Sequence, residues 1–273
     1  MHYGIEIVNL GDYADARRVI KLAQAAEAAG WEALFVWDHL GYVWNAPAGD
    51  PWIILTAVAA VTSRMRLGTA VSPLPRYRPH VLAQMLATLD ILSEGRVILG
   101  VGLGAVAQEY AAFGESADAK QHAAIVDESL DVLNQLWSGK RVTHRGPHYT
   151  VDNVTFVPLP VQRPRIPIWV GGDSRPALRR AARWDGWITG NVNEKGKILK
   201  TPEELAGKIA IIRQHRTTTT PFDTALDGYS TATDGALTHE YEAIGFTWWL
   251  ESLHEYRGTE GELMARVKAG PPR

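Results

Sequence analysis

The sequence predicts a single (β/α)8 barrel, the TIM-barrel fold, over residues 1–273. Short apolar runs alternate eight times with longer amphipathic segments, which is the pattern of parallel strand–helix units. Most of these runs are almost continuous in Val, Ile, Leu and Trp, as expected for strands that are covered on both faces. No domain-sized linker or low-complexity segment separates the units, and the length suits one barrel of this kind.

The eight predicted strands recur through the whole chain. They are Tyr3–Val8, Ala33–Trp37, Met65–Val71, Val97–Val101, Ile166–Val170, Gly186–Thr189, Thr224–Tyr229 and Phe246–Leu250. The first helix is predicted over Ala14–Ala29, with Asp12 as its N-cap and Gly30 as its C-terminal stop. The pair Asp50–Pro51 indicates an N-cap followed by proline at the first helical position.

Helical spacing and capping motifs account for the other connections. Apolar residues recur at the interval of a helix face within Leu82–Leu92 and Ile125–Trp137. Thr201–Glu204 and Thr259–Glu262 are capping boxes. Two further helices are predicted over Ser174–Arg183 and Thr233–Ala243. The turn-rich segment Ser138–Arg163 predicts a surface hairpin inserted before strand five. An open doubly wound sheet is the alternative fold, but its glycine-rich turn after strand one and its division into even halves are missing.

Composition and charge exclude several functional classes. The chain has no cysteine, which excludes disulfides, thiol nucleophiles, zinc–thiolate sites and iron–sulfur clusters. A net charge of −2 without a basic block gives no electrostatic footprint for nucleic acid or an anionic membrane surface. No apolar run approaches the ~18 residues that span a bilayer, and the start lacks the features of a signal peptide, so we expect a cytoplasmic protein. Ten tryptophans indicate either a large aromatic core or a pocket with aromatic walls.

The candidate chemistry lies where the predicted strands end, since barrels of this kind react at their C-terminal face. His39 follows Asp38 at the end of strand two, where an imidazole can act as acid, base or charge stabiliser. The alternative is an inert rim histidine that is hydrogen-bonded to Asp38. After strand five, Gly171–Ser174 brings two glycines and a serine cap to a helix start, which suits an anion. The alternative there is an ordinary glycine-rich turn.

Two other patterns resemble binding motifs but lack the required context. Gly102–Ala107 mimics the dinucleotide fingerprint, yet no ribose-binding acid on a second strand follows about 20 residues later. We interpret its glycines as room for a flat ring against the backbone. Glu109 is either a solvated helix acid or a polar wall of the site. His144 and His148 lie in the predicted hairpin and strand one carries no histidine pair, so no metal site is predicted.

Several segments follow one another in a specific order. They are AAEAAGWEALFVWDHL, TAVAAVTSRMRLGTAV, RYRPHVLAQMLATLDILSEGRVILGVGLG with EYAAFG, and PVQRPRIPIWVGGDSRPALRRAARWDGWITG. In this order they resemble the bacterial-luciferase-like flavin oxidoreductases. The resemblance covers residues 1–195 strongly and the rest, including FTWWLES, more loosely. Each motif alone is weak, whereas their joint order is specific.

The resemblance implies a luciferase-like barrel that binds reduced FMN or the deazaflavin F420 without a covalent bond. It makes His39 the active-site histidine and places Ser72 in a bulge behind the ring, where F420 members often have a non-prolyl cis peptide bond. It also implies a ring border after strand four and a phosphate loop after strand five. The predicted cofactor-binding residues are Asp38, Ser72, Gly102, Leu103, Gly104, Glu109, Gly171, Gly172, Ser174, Thr189 and Gly190. Trp44 and Trp249 are predicted to line an apolar substrate pocket.

The resemblance further implies an enzyme in which reduced F420 passes hydride to a small organic substrate, or the reverse. The segments RYRP and VGLG…QEY favour F420, and four arginines could meet its acidic tail: Arg76, Arg78, Arg179 and Arg183. An FMN-dependent monooxygenase that uses oxygen is the alternative. A cofactor-binding barrel without turnover is a third possibility, because a fold does not guarantee chemistry.

Two departures from the family pattern bear on substrate and assembly. The F420-dependent sugar-phosphate dehydrogenases carry an acidic residue directly after G-x-G, where this chain has Ala105. Glucose-6-phosphate oxidation is therefore disfavoured. The part after strand seven is short and leaves little lid, so the pocket is open or a partner subunit completes it. We expect a small-molecule substrate, no nucleic-acid or membrane partner, and a homodimer.

Overall fold

A closed ring of eight parallel strands forms the centre of the protein, which confirms the predicted (β/α)8 barrel. The computed structural model describes residues 1–193 and 195–273. The strands are β1 (His2–Ile7), β2 (Ala33–Val36), β3 (Arg66–Thr69), β4 (Ser72–Pro73), β5 (Val97–Gly102), β6 (Arg141–Arg145), β7 (Thr150–Thr155), β8 (Ile168–Gly171), β9 (Gly186–Thr189), β10 (Asp223–Gly228) and β11 (Trp248–Leu253). The ring order is β1, β2, β3, β5, β8, β9, β10 and β11, and it closes because β11 pairs with β1.

The strand predicted over Met65–Val71 ends early. It stops at Thr69, and the chain leaves the ladder at Ala70 and Val71 before β4 pairs briefly with β5. This interruption forms a bulge at the C-terminal mouth of the barrel. The other barrel strands lie within a few residues of their predicted positions.

Helices cover the outside of the barrel, and their caps follow the sequence signals with one exception. The helices are α1 (Ala16–Ala28), α2 (Pro51–Ala59), α3 (Pro79–Leu92), α4 (Gln108–Ala111), α5 (Ala119–Leu136), α6 (Arg175–Ala181), α7 (Pro202–His215), α8 (Gly235–Ile244) and α9 (Glu260–Lys268). Asp50, Thr201 and Thr259 cap as predicted. The prediction that Asp12 caps α1 is wrong, because Asp12 lies in a preceding 3₁₀ turn and Asp15 accepts the capping bond. None of the described helices is long and apolar enough to cross a membrane.

The predicted hairpin is present as the antiparallel pair β6 and β7. Glu128 on α5 attaches it to the barrel. Its carboxylate accepts hydrogen bonds from His144 Nε2 at 2.9 Å, from the His148 amide at 2.9 Å and from the Tyr149 amide at 2.8 Å. The Glu128 carboxylate therefore bonds both hairpin histidines, His144 through its ring and His148 through its backbone amide.

The apolar core has two layers because successive strand residues point to opposite faces. The outer layer fills the space between strands and helices. The inner layer fills the barrel and consists of Ala33, Phe35, Ile98, Trp169, Ile188, Ala225, Trp248 and Leu250. Phe35 and Trp169 stack there with ring centroids 5.2 Å apart. Glycines on neighbouring strands make room for these rings: a Cβ at Gly68 would lie 2.6 Å from Phe35, and one at Gly186 would lie 2.4 Å from Trp169.

A matched pair of glycine substitutions tests the barrel closure between β3 and β5. A Cβ at Gly100 would lie 1.8 Å from the Thr69 carbonyl oxygen, whereas Gly207 on α7 has nothing within 4 Å. Gly100→Ala should lower the free energy of unfolding by about 3 kcal/mol, the upper end of overpacking costs, because backbone is the obstacle. Gly207→Ala should raise it by about 1 kcal/mol through helix propensity. Urea unfolding measures both, and equal effects would contradict the close approach of these strands.

Candidate functional site

Two adjacent cavities open at the C-terminal ends of the strands. The smaller, of about 250 Å³, lies beside the ends of β3, β8 and β9. The larger, of about 760 Å³, lies at the ends of β1, β2, β10 and β11 and is flanked by the start of α9. Trp37 and Asp227 line both cavities, so the two spaces meet at these side chains.

Apolar groups form most of the lining of the small cavity. Ala70, Val71 and Ile188 line it together with the glycines of the β8 and β9 ends. The Val71 side chain occupies the space that two glycines leave, since a Cβ at Gly102 would lie 2.6 Å and one at Gly171 3.1 Å from it. The Ala70–Val71 peptide bond is cis. The lining leaves room for a flat ring.

The loop after β8 lines one end of the small cavity, and two lysines outside the lining contact this loop. Gly172 has a φ of 106°, in the region that favours glycine. Lys200 Nζ lies 2.6 Å from Asp173 Oδ2 and donates to Thr189 Oγ1 at 3.0 Å. Lys208 Nζ donates to the Asp173 carbonyl oxygen at 3.2 Å. Positive charge therefore stands beside the open backbone of Gly171, Gly172 and Gly190, which suits a phosphate.

Ser174 and its helix have a smaller part in this arrangement than the sequence suggested. The Ser174 hydroxyl accepts a hydrogen bond from the Ala177 amide at 3.3 Å and so caps α6. The helix α6 has only seven residues. We therefore regard the two lysines and the glycine backbone as the stronger anion-binding groups.

His39 is fixed by Glu109 and not by Asp38. Its Nδ1 lies 2.9 Å from Glu109 Oε1. The amide and carbonyl of His39 are both bonded to the Asn9 side chain, at 3.1 and 2.8 Å. The hydrogen bond to Asp38 that defines the rim-histidine alternative is absent among the described residues, because the Asp38 carboxylate is turned toward the bulge and contacts Ser72 and Tyr77.

The His39 ring is 21% exposed and contacts the edges of Trp37 and Trp44, with centroids 5.6 and 5.2 Å away. Both tryptophans line the larger cavity, whereas His39 itself lies just behind them. Its Nε2 makes no hydrogen bond within the part of the chain that the structure describes. This nitrogen is therefore not held by any of the described side chains.

Asp38 and Ser72 support the mouth from beneath. Both are buried, and Asp38 Oδ2 accepts from the Ser72 hydroxyl at 2.5 Å and the Tyr77 hydroxyl at 2.7 Å. Arg76 also contacts the Asp38 carboxylate. Burial raises the pKa of Asp38, and the charge of Arg76 and these two hydroxyls oppose that shift. Neither Asp38 nor Ser72 lines either cavity.

The segment after β5 is closely packed. A Cβ at Gly104, whose φ is 85°, would lie 2.0 Å from the Tyr110 hydroxyl. The Leu103 carbonyl accepts from that hydroxyl at 3.2 Å and from His122 Nδ1 at 2.9 Å. Val71 and Tyr110 fill the space beside the two glycines, and neither glycine lines a cavity named above, so their place at the border of a ring stays a prediction. Glu109, one turn later, is buried and so is not a solvated helix acid.

The two tryptophans that were predicted to line the pocket lie in different parts of the structure. Trp44 is exposed at the rim and lines the larger cavity. The placement of Trp249 in the pocket is wrong: it is 2% exposed, contacts Tyr241 on α8 and belongs to the outer core. Its neighbour Trp248 faces the barrel interior. Strand alternation sends the two side chains to opposite faces.

Four site residues were missed in the sequence: Glu6, Asp227, Lys200 and Lys208. Glu6 and Asp227 carried a readable signal, because each is an acidic residue at an alternating position within an apolar strand. The lysines lie in or near α7 and carry no comparable signal. Of the arginines expected to meet an acidic tail, Arg76 is engaged by Asp38 and Glu109, and Arg183 by Asp127 and Asp131.

Residues 4–256 match the luciferase-like monooxygenase family. The chain belongs to this family. This luciferase-like protein is 40% identical over 175 residues to the F420-dependent glucose-6-phosphate dehydrogenase of Nakamurella multipartita, which covers 62% of this chain and 50% of that enzyme. The chain spans about half the length of this and two other curated relatives that it matches.

Two solved structures share the fold of the luciferase-like protein. One is an F420-dependent secondary alcohol dehydrogenase in complex with an F420-acetone adduct, with a TM-score of 0.79, 17% identity and coverage of 98% of this chain and 97% of that one. The other is the oxygenating constituent of 3,6-diketocamphane monooxygenase of Pseudomonas putida in complex with FMN. Its TM-score is 0.77 at 16% identity, with coverage of 98% and 96%. At these identities the likeness confirms the barrel fold.

Arg76 tests how the site of this luciferase-like protein is supported. Its guanidinium contacts Asp38 and lies 3.2 Å from Glu109 Oε2, so Arg76→Met leaves two buried carboxylates without their cation. The free energy of unfolding should fall by about 3–5 kcal/mol, the cost of breaking a buried pair. Arg78→Met, at an exposed neighbour, should change it by less than about 0.5 kcal/mol. Equal urea midpoints for the two variants would show that Arg76 does not support the site.

Proposed function

We propose that this chain is an F420-dependent oxidoreductase that transfers hydride between its cofactor and a small organic substrate. The observation that carries the proposal is the pair of cavities at the barrel mouth, one lined by Ala70, Val71, Ile188 and the glycine loop that two lysines contact, the other with aromatic walls. Matches to relatives named as F420-dependent dehydrogenases support the choice of cofactor. Because the chain spans about half of those relatives, their substrates are not carried over.

The residues of the small cavity fit a flavin-type cofactor. Ala70, Val71 and Ile188 would lie against the ring, while Gly171 and Gly172 with the lysines would hold the phosphate. A bound cofactor of this class supplies or accepts the hydride. Thr189 and Gly190 would contact it from β9. The protein supplies the orientation and the proton-handling groups.

His39 is proposed as the group that polarises or protonates the reacting centre. Glu109 occupies Nδ1, so the other nitrogen is left to interact with a substrate heteroatom. The bonds from Asn9 to the His39 backbone limit how far the residue can move. The accessible edge of the ring supports this role.

The larger cavity favours an uncharged, mostly apolar substrate. Tyr13, Trp37 and Trp44 form aromatic walls. Its lining includes acidic residues such as Asp12 and Glu255, and one arginine among the described residues, Arg257, which already pairs with Glu251. A phosphate dianion would meet more negative than positive charge there. Together with Ala105, this supports a substrate other than a sugar phosphate.

We also propose that the protein acts as a cytoplasmic homodimer. Trp44 and Tyr256 are exposed at the rim of the larger cavity, where a second subunit could complete the site. The subunit count can be measured by light scattering of the purified protein, and a strict monomer with an active site would exclude this part of the proposal.

Cofactor binding is tested by anaerobic titration with F420, FMN and riboflavin. Lys208→Gln should weaken binding of the two phosphate-bearing cofactors about tenfold, or about 1.4 kcal/mol, and leave riboflavin binding unchanged. Lys197→Gln is the matched control, at an exposed lysine in the preceding loop. We prefer this test to substitution of Gly172, where the positive φ would itself strain the variant.

The titration also separates the alternatives. Wild-type protein that binds neither F420 nor FMN would overturn the proposed function. Tight FMN binding with oxygen consumption would favour the monooxygenase. Binding without turnover on any acceptor would favour a cofactor-binding barrel.

His39→Ala separates an enzyme from a binder. The cofactor dissociation constant should stay nearly constant, because the predicted ring and phosphate contacts come from other strands. The single-turnover rate should fall by roughly 10²–10⁴, the usual effect of a positioned acid or base. His80→Ala, at an exposed position on α3, is the control. An unchanged rate in the His39 variant would remove this residue from the mechanism.

A further inference from the structure

Two buried carboxylates at the junction of the cavities have no part in the mechanism proposed so far. Glu6 on β1 and Asp227 on β10 are 4% and 8% exposed. Both line the small cavity, and Asp227 lines the larger one as well. Strand alternation directs them inward, since Ile5, Ile7 and Leu226 beside them belong to the outer core.

Neither carboxylate forms a salt bridge with a described residue. Among the described residues no Lys, Arg or His nitrogen lies within 4.0 Å of either one. Glu6 accepts a hydrogen bond from Trp37 Nε1, and Asp227 accepts one from the Asn191 amide at 2.5 Å. Lys200, which acts on Asp227 from a distance, is already bonded to Asp173 and Thr189. Two buried like charges without a cation do not both ionise readily, as in carboxylate pairs that share a proton.

The other acids of the mouth differ in this respect. Asp38 and Glu109 are equally buried, but both contact Arg76. Both therefore have a cation beside them and serve as fixed supports. The contrast assigns different tasks to the two sides of the mouth: positioning on the β2 side, and proton storage on the β1 and β10 side.

We propose that the two acids Glu6 and Asp227, which line one cavity without a described cation beside them, hold one proton between them and that Asp227 is the acid–base group for the substrate in the larger cavity. This rests on the proposed function. In the reduction of a carbonyl compound, the carbonyl carbon would accept the hydride that a bound reduced cofactor supplies, which would leave the cofactor oxidised. The C=O π electrons form the O–H bond with the proton of the pair, and the product is an alcohol. In the reverse direction the pair accepts the hydroxyl proton.

The electrostatic surroundings support this assignment. Burial, and then the charge of Asp227, raise the pKa of Glu6 well above its usual value, while the bond from Trp37 opposes the shift. Burial raises the pKa of Asp227 to about 6, against the backbone bond from Asn191 and the charge of Lys200. The other titratable groups that face the pair are Asp173, from the loop after β8, and His254, which follows β11.

The proton can be observed without any cofactor. Isotope-edited infrared spectra of the cofactor-free protein should contain a protonated carboxyl band at neutral pH, which Glu6→Gln removes. In the wild type the band should grow as the pH falls through about 6, and Asp227→Asn should remove that growth. Asp152→Asn, on the exposed hairpin, should leave the spectrum unchanged. A wild type without the band at neutral pH would overturn the proposal.

The pH dependence of the free energy of unfolding is a second, independent test of the proton on this pair. The pKa of Asp227 is about 6 in the folded chain against 3.8 as its ordinary value, so the folded state binds the proton more tightly. The free energy of unfolding should therefore fall as the pH rises between these values. Asp227→Asn should remove that part of the fall, whereas Asp152→Asn should not. Identical pH profiles for the wild type and Asp227→Asn would contradict the shared proton.

The acid–base role is tested on the loaded enzyme. Asp227→Asn should lower kcat roughly 10²-fold or more and flatten its pH dependence near 6, with the cofactor dissociation constant unchanged. An unaltered pH profile in a variant that binds cofactor would overturn the proposal alone. A carboxyl band in a protein that binds neither cofactor would support proton sharing and overturn the proposed function.

Discussion

The contact of one guanidinium with two buried carboxylates supports the β2, β3 and β5 side of the mouth. Arg76 contacts Asp38 at the end of β2 and Glu109 after β5. Asp38 in turn receives the hydroxyls of Ser72 and Tyr77, so the bulge after β3 is bonded to β2. Glu109 fixes the His39 ring. A single cation thereby makes it possible to bury both acids and to orient the histidine.

On the β1 and β10 side of the mouth, no described cation forms a salt bridge with the buried acids. Among the described residues, Glu6 and Asp227 accept hydrogen bonds only from N–H donors. Burial raises the pKa of both acids, and no described arginine beside them opposes that shift as Arg76 does for Asp38. The barrel thus presents a fixed imidazole on one wall and a titrating pair on another, with Trp37 between the two cavities.

Charge is distributed unevenly around the two cavities. Lys200 and Lys208 contact the Asp173 loop from outside the lining of the small cavity, while Glu6 and Asp227 line that cavity. Acids such as Asp12 and Glu255 line the larger cavity, where an anionic substrate is therefore disfavoured. This agrees with the sequence-based expectation from Ala105 that the substrate is not a sugar phosphate.

The sequence by itself determined the barrel, the family and most helix starts. Apolar runs and capping residues are local signals, so β9, the caps at Asp50 and Thr201, and the β6–β7 hairpin could all be predicted. The tertiary structure alone decided which side chains meet. Glu109 reaches His39 across 70 residues, and Trp249 turns away from the pocket because one step along a strand reverses its face. The glycines at 102 and 104 accommodate Val71 and Tyr110, which come from a bulge and a helical turn whose positions depend on the closed ring. Such contacts depend on the relative placement of whole strands and helices, which no short stretch of sequence encodes.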